Sequence, residues 1–126
     1  MPVTYHIDRE AGMLFVFGDG MITQSECIGA MRAWMSDEAF RPGLKTMADF
    51  SAAITVPTHE DLMQIVAFIE ENAERIGRKR LALVTSMPLA SAVAHQFQVL
   101  AAPGPLEVGV FKNRHDARAW LQQAPR

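Results

Sequence analysis

The sequence predicts an α/β fold with a mixed, mostly parallel five-stranded sheet and about four helices. Three observations lead to this prediction. Apolar residues repeat with a strand period in some segments and with a helix period in others. A short turn joins the first two strand-like segments, which indicates an antiparallel hairpin. Each later strand-like segment follows a helix-like one, which indicates right-handed crossovers between parallel strands. The predicted order is β-β-α-β-α-β-α-β-α, in a single domain over residues 1–126.

The chain opens with the predicted hairpin. Val3, Tyr5 and Ile7 alternate with polar residues, which is typical of a strand with one face toward solvent. A turn over residues 8–12 follows. Residues 13–17 are apolar on both faces, which predicts a central strand. The glycines at positions 18 and 20 are expected to end it.

Three further strands are predicted from short apolar runs. They lie at residues 44–50, 80–85 and 106–110. The run from Leu81 to Val84 is continuously apolar, as expected of a parallel strand that is buried on both faces.

Four helices are predicted between and after these strands, and each has a start signal. The signals are a capping box of Thr23 and Glu26, Thr58 as N-cap after Pro57, Pro88 at the start of residues 88–100, and Asn113 as the last N-cap. The buried stripe of the second helix is expected to run from Leu62 to Ile76, and Gly77 to stop it.

The amino-acid composition argues against some classes of function. The chain has 126 residues, of which 49% are hydrophobic and 21% charged, with a net charge of −2. These values are ordinary for a globular protein with an apolar core, and they argue against a nucleic-acid partner. The dense basic run is Arg75, Arg78, Lys79 and Arg80, which we interpret as a solvated corner between a helix and a strand.

The sequence also lacks several signals. No stretch resembles a signal peptide or the ~20 apolar residues of a membrane span, so a cytoplasmic location is expected. Cys27 is the sole cysteine, which excludes an internal disulfide. His6, His59, His95 and His115 do not have the spacing of metal ligands, so neither a metal nor another cofactor is expected.

Three stretches resemble the SpoIIAA/STAS-like family, and most closely its small stand-alone bacterial members. They are residues 40–44 leading to Ala48-Asp49-Phe50-Ser51, residues 79–84, and Val110-Phe111 followed by residues 116–121. This family includes anti-sigma-factor antagonists and cytosolic domains of sulphate transporters. The resemblance covers nearly the whole chain, and it implies a SpoIIAA-like fold.

The phosphorylation motif of that family is replaced in this sequence. Phosphorylated antagonists carry Asp-Ser-Ser-Gly at the start of the second helix, whereas this chain has Thr55-Val56-Pro57-Thr58-His59-Glu60-Asp61. Thr58 alone supplies a hydroxyl at the helix N-terminus, and a phosphate on it would lie against Glu60 and Asp61. We therefore interpret Thr58 as an N-cap and do not expect a sigma-factor switch.

Five candidate ligand-binding residues gather at the carboxyl edge of the predicted sheet, where open α/β sheets bind their ligands. They are Asp49, Ser51, Thr58, Thr85 and Ser86. Free backbone N–H groups at the nearby helix starts would favour an anion there. The same residue types also satisfy turns and caps, so a structural role remains the alternative.

These observations predict a non-enzymatic regulatory or ligand-binding module. It would act through protein–protein contacts or through a small lipid-like or anionic ligand. The alternative is a small enzyme with a site around Asp49, assisted by Ser51, Thr58 or Ser86. A third hypothesis is a scaffolding homodimer, with Met35 or Trp120 contributing apolar surface to the interface.

Overall fold

Five strands form one mixed sheet in the computed structural model, which describes residues 2–123. The strands are β1 (Val3–Asp8), β2 (Met13–Gly20), β3 (Lys45–Ala53), β4 (Lys79–Val84) and β5 (Leu106–Phe111). Their spatial order follows the chain, from β1 to β5. The first two strands pair antiparallel and every other pair is parallel, which confirms the predicted sheet.

The helices agree with the prediction at their starts. They are α1 (Gln24–Met35), α2 (His59–Glu71), α3 (Ala73–Ile76), α4 (Pro88–Ala101) and α5 (Arg114–Leu121). Thr23, Thr58 and Asn113 are the N-caps of α1, α2 and α5, and the first two belong to complete capping boxes. Local hydrogen bonding at these positions is encoded within four residues, which explains why the sequence predicts it well.

The predicted second helix is divided in two, so the described chain has five helices where about four were expected. α2 ends at Glu71, and the one-turn α3 follows Asn72. The side-chain amide of Asn72 donates to the carbonyl of Phe68 at 2.8 Å. An asparagine that bonds to nearby backbone competes with the regular helix, which accounts for the break.

The second strand also differs from the prediction, because it continues through the two glycines to Gly20. An irregularity between Phe17 and Asp19 shifts its register against β3. A Cβ atom at Gly18 would overlap the ring of Phe50, so this glycine provides room for the phenylalanine rather than a break in the strand.

The two faces of the sheet carry different layers. Each crossover from β2 to β5 steps one strand in the same direction, and the right-handed rule then places all crossover helices on one face. Residues of α1, α2 and α4 accordingly share one buried cluster with the sheet. On the opposite face, Ala117 and Leu121 of α5 pack on Met13, Met47 and Ala82. We call these the three-helix face and the α5 face.

Candidate functional site

The structure distributes the five predicted residues over both faces of the sheet. Thr85 faces the three-helix side, where it contributes to the wall of a cavity. Asp49 contacts Arg114 of α5, which places it on the α5 face. Ser51 hydrogen-bonds to Asp49, whereas Thr58 and Ser86 bond to backbone groups. The carboxyl edge therefore does not gather all five around one shared space.

Asp49 is 5% exposed, and both of its carboxylate oxygens have partners. Oδ1 accepts from the backbone N–H of Ser51 at 2.9 Å and from its hydroxyl at 2.6 Å. Arg114 Nε donates to Oδ2 at 2.5 Å. Burial alone would raise the pKa of the Asp49 carboxyl, but the hydrogen bonds from Ser51 and the charge of Arg114 outweigh it and hold the pKa below its ordinary value.

Ser86 and Thr58 satisfy backbone groups near this edge. The Ser86 hydroxyl donates to the carbonyl of Ser51 at 3.0 Å and so connects the segments that follow β4 and β3. Thr58 Oγ1 accepts from the backbone N–H of Asp61 at 3.0 Å, and the Asp61 carboxylate accepts from the N–H of Thr58 at 2.9 Å. These contacts are what a turn and a helix start require.

A cavity of about 210 Å³ lies between the sheet and the three crossover helices. Its walls are mainly apolar. They include Val16, Ala48, Phe50, Leu81 and Leu83 from the sheet, and Met31, Leu62, Ile65, Val93, Ala94 and Phe97 from the helices. This combination of a mostly apolar wall with a few polar groups is typical of small-molecule sites.

Strand β4 contributes to the cavity wall from its first residue to the residue that follows its last. Every second residue of β4 and its continuation points into it, namely Lys79, Leu81, Leu83 and Thr85. At ~3.3 Å per residue, an extended chain holds the first and last of these about 20 Å apart. The cavity is therefore elongated, with an ammonium group toward one end and a hydroxyl toward the other.

Lys79 is a residue of the cavity wall that the sequence interpretation did not place there. We expected it in a solvated corner, but its side chain lines the cavity and Nζ lies 5.9 Å from the centroid of the Trp34 ring. Within residues 2–123 the ion pairs join Arg80 to Glu107 and Arg114 to Asp49, and Lys79 takes part in neither. Burial lowers the pKa of the Lys79 ammonium group to about 8. The sequence did contain a signal for this position. Lys79, Leu81 and Leu83 alternate along β4, so their side chains are expected on the same face of the sheet.

Thr85 is another polar residue of the cavity wall, which also includes Thr23, Gln24, Thr46, Thr55 and Asp61. It is 6% exposed, and its Oγ1 is a buried side-chain oxygen without a hydrogen-bond partner among the described residues. Its backbone N–H is satisfied, since it donates to the carbonyl of Phe111 at 3.0 Å. An unpaired buried hydroxyl costs about 1–3 kcal/mol unless a water or ligand bonds to it.

Thr55 also lines the cavity, together with Ile22. Its Oγ1 accepts from the backbone N–H of Ile22 at 2.9 Å and donates to the carbonyl of the same residue at 3.1 Å. Cys27 lines the cavity below this contact. Burial raises the pKa of its thiol to about 11, helped by the charges of Glu26 and Asp61, so Cys27 is protonated near neutral pH.

Several other expectations change with the structure. Arg80 is not solvated, since it pairs with Glu107 at 2.9 Å and donates to the carbonyl of Trp120. The two residues proposed for a dimer interface are already packed within the chain. Met35 is buried in the core, and Trp120 contacts Phe111 with a centroid distance of 5.4 Å.

Across residues 2–123, no three His, Cys, Asp or Glu side chains are grouped closely enough to hold a metal ion. Over the same range, no helix has the length and apolar character needed to cross a membrane.

A comparison with solved structures shows which known fold this architecture resembles. The chain superposes on an uncharacterized protein of the DUF3478 family with a SpoIIAA-like fold from Shewanella loihica PV-4, with a TM-score of 0.63 over 94% of this chain and 93% of that one. This chain has a SpoIIAA-like fold. The two sequences are 14% identical, so the likeness is one of fold. No protein-family model matches the sequence, and no curated protein does either. The SpoIIAA-like fold implied by the sequence resemblance is therefore confirmed.

Proposed function

We propose that this chain is a non-enzymatic binding module that holds a small apolar ligand between its sheet and its three crossover helices. The observation that carries this proposal is the cavity of about 210 Å³ with its mostly apolar wall. The predicted site residues Asp49, Ser51, Thr58 and Ser86 bond to neighbouring protein groups instead, so they have a structural role in this proposal.

The size of the cavity limits the ligand. An engineered apolar cavity of about 150 Å³ binds benzene, and the usual range for drug-sized ligands begins at about 300 Å³. A volume of about 210 Å³ lies between these values and suits one small apolar molecule.

Filling the cavity would also stabilise the protein. Apolar groups that line unfilled space lack the contacts they would make in a packed core. A ligand that restores the missing contacts recovers part of their free energy, and any ligand that binds only the folded state raises its stability.

A cavity-filling variant tests the proposal. The neutral apolar dye N-phenyl-1-naphthylamine is expected to bind the protein saturably, with a rise in fluorescence. Ala94 lines the cavity from α4, and Ala94→Leu places three more carbons in it. We expect this variant to bind the dye at least about tenfold more weakly, a change of ~1.4 kcal/mol.

Ala92→Leu is the matched control, because Ala92 lies on the same helix but is exposed. It should bind the dye as the unmodified protein does. An absence of saturable binding, or equal weakening by both variants, would contradict the proposal. Thermal melts of all three proteins establish that each is folded.

A second candidate function, self-association or contact with another protein, is favoured by apolar side chains at the carboxyl edge. Met21, Ile54 and Leu89 are 71%, 70% and 60% exposed, and they follow β2, β3 and β4. Exposed apolar residues that cluster in this way mark contact surfaces more often than isolated ones do. We propose a second copy of this chain as the partner, in place of the interface around Met35 and Trp120.

Light scattering over a range of protein concentrations tests this candidate. The mass is expected to approach that of a dimer at high concentration, and Ile54→Lys to restore the monomer mass. Val99→Lys is the control, because Val99 is 72% exposed but lies near the opposite end of α4. A monomer mass at every concentration would exclude the homodimer.

A further inference from the structure

Among the described residues that line the cavity, Lys79 is the one cation and Asp61 is the one carboxylate. Lys79 lies at the start of β4, beside Leu106 of β5 in the sheet register and near Trp34 of α1. Thr85 follows the other end of the strand. The wall between them along β4 is Leu81 and Leu83. Along β4 the cavity therefore has a cationic end at Lys79, an apolar middle and a polar end at Thr85. The Asp61 carboxylate also lines the cavity, and it accepts from the backbone N–H of Thr58 at the start of α2.

The cationic end lacks a protein anion among the described residues. Nζ of Lys79 has the face of Trp34 as its neighbour at 5.9 Å, which provides a cation–π contact. That contact replaces only part of the hydration that a lysine loses on burial, as the lowered pKa of its ammonium group indicates. A carboxylate or similar anion at this point would form a charge-assisted hydrogen bond with the ammonium group.

The anion can reach this end without complete burial. Lys79 and Trp34 are both partly exposed, so the cationic end of the cavity meets the surface. Lysine side chains commonly extend along apolar surface and keep the ammonium near water. A ligand head group held there would remain partly hydrated while its tail occupies the apolar middle.

We propose that the ligand of this cavity is an anionic amphiphile whose head group pairs with Lys79 and whose hydrocarbon tail extends along β4 toward Thr85. This inference rests on the proposed function and adds the charge and the orientation of the ligand. The Thr85 hydroxyl, unpaired among the described residues, is the competing position for the head group.

Displacement of N-phenyl-1-naphthylamine by decanoate and by 1-decanol tests the proposal, since the two compounds share a tail and differ in the charge of the head. In the unmodified protein near pH 7, decanoate is expected to bind roughly tenfold or more tightly than 1-decanol, the size expected of a hydrogen bond between charged groups. Lys79→Met should reduce this preference to about one, measured as the ratio of the two affinities in the same protein.

Three further variants complete the experiment. Lys79→Arg keeps the charge and should keep most of the preference. Arg78→Met removes an exposed neighbouring cation and should change nothing, which excludes a general charge effect. Thr85→Val should also preserve the preference for decanoate.

The outcomes separate the two proposals. A preference that persists in Lys79→Met, or that is lost only in Thr85→Val, would overturn the placement of the head group at Lys79. If the dye binds but decanoate has no advantage over 1-decanol, the anionic ligand is wrong and the apolar binding function stands. If the dye itself does not bind saturably, both proposals fail.

Discussion

Lys79→Met is expected to raise the free energy of unfolding at pH 7, by up to about 3 kcal/mol. The ammonium group of Lys79 lines an apolar cavity and has no carboxylate partner among the described residues. Burial lowers its pKa to about 8, from an ordinary value near 10.5. Each unit of this difference corresponds to ~1.4 kcal/mol of destabilisation when the group is charged in both states. The value of about 3 kcal/mol is an upper bound, because Lys79 is partly exposed and keeps some of its hydration. Methionine has a similar length and carries no charge.

The stability gain should depend on pH in a defined direction. Between about pH 8 and 10.5, the unfolded chain holds a proton on Lys79 that the folded chain has released, so the stability of the unmodified protein rises with pH through this window. The advantage of Lys79→Met is therefore full below about pH 8 and disappears toward pH 10.5. The difference between the two proteins isolates Lys79 from other groups that titrate in this range.

Urea denaturation of both proteins at pH 7 and at pH 10 measures this effect. Arg78→Met is the control, and its stability relative to the unmodified protein should be the same at both pH values. If Lys79→Met were less stable at pH 7, or if its advantage were independent of pH, the side chain would not carry a desolvated charge.

Asp49→Ala is expected to have the second largest effect, a loss of about 2 kcal/mol of stability. The substitution removes three hydrogen bonds at once and leaves the N–H of Ser51 without its acceptor. The ion pair itself contributes less than its short distance suggests, because the Arg114 side chain is 62% exposed and water screens its charge. Most of the loss should come from the contacts with Ser51.

Asp49→Asn distinguishes the effect of the carboxylate charge on stability from the effect of the side-chain shape. The amide keeps an oxygen for Ser51, so the loss of stability should be smaller than in Asp49→Ala. The pKa of the Asp49 carboxyl is lowered in the folded protein, so its stabilising effect is present above the ordinary carboxyl value near 4 and is lost as pH falls through the lower folded value. Asp49→Asn should lack this part of the acid sensitivity.

Urea denaturation at pH 6 and pH 3 measures the stabilities, and dye binding provides an independent result. Asp49 contacts α5, whereas the cavity lies on the other face of the sheet. Folded Asp49→Asn should therefore bind N-phenyl-1-naphthylamine as the unmodified protein does. A large loss of dye affinity would indicate that Asp49 contributes to ligand binding, in agreement with the sequence-based prediction.

The sequence was informative where the chemistry is local. The caps at Thr23, Thr58 and Asn113 need partners only three residues away, and the strand and helix periods are visible in a single segment. The confirmed fold follows from these signals and from the handedness of crossovers. The side-chain bond of Asn72 that divides the second helix is also local, but it competes with a strong apolar stripe.

The site was harder to predict because its contacts are distant in the chain. Asp49 and Arg114 are separated by 65 positions, and no local pattern indicates which arginine reaches the carboxylate. A cavity depends on how completely three helices fill the space above a sheet, which composition does not show. Lys79 had the parity of a cavity residue, but a lysine that begins a strand usually indicates solvent.

The placement of all three crossover helices on one face of the sheet determines which substitutions this protein can accept. A ligand in the cavity would contact α1, α2, α4 and the strand residues beneath them, whereas Ala117 and Leu121 pack against the other face of the sheet. Substitutions in the cavity wall can thus alter ligand preference while the opposite layer preserves a folded scaffold. Substitutions can therefore change the ligand preference of such a chain without loss of its fold, because one set of residues lines the cavity and a separate set packs against the other face of the sheet.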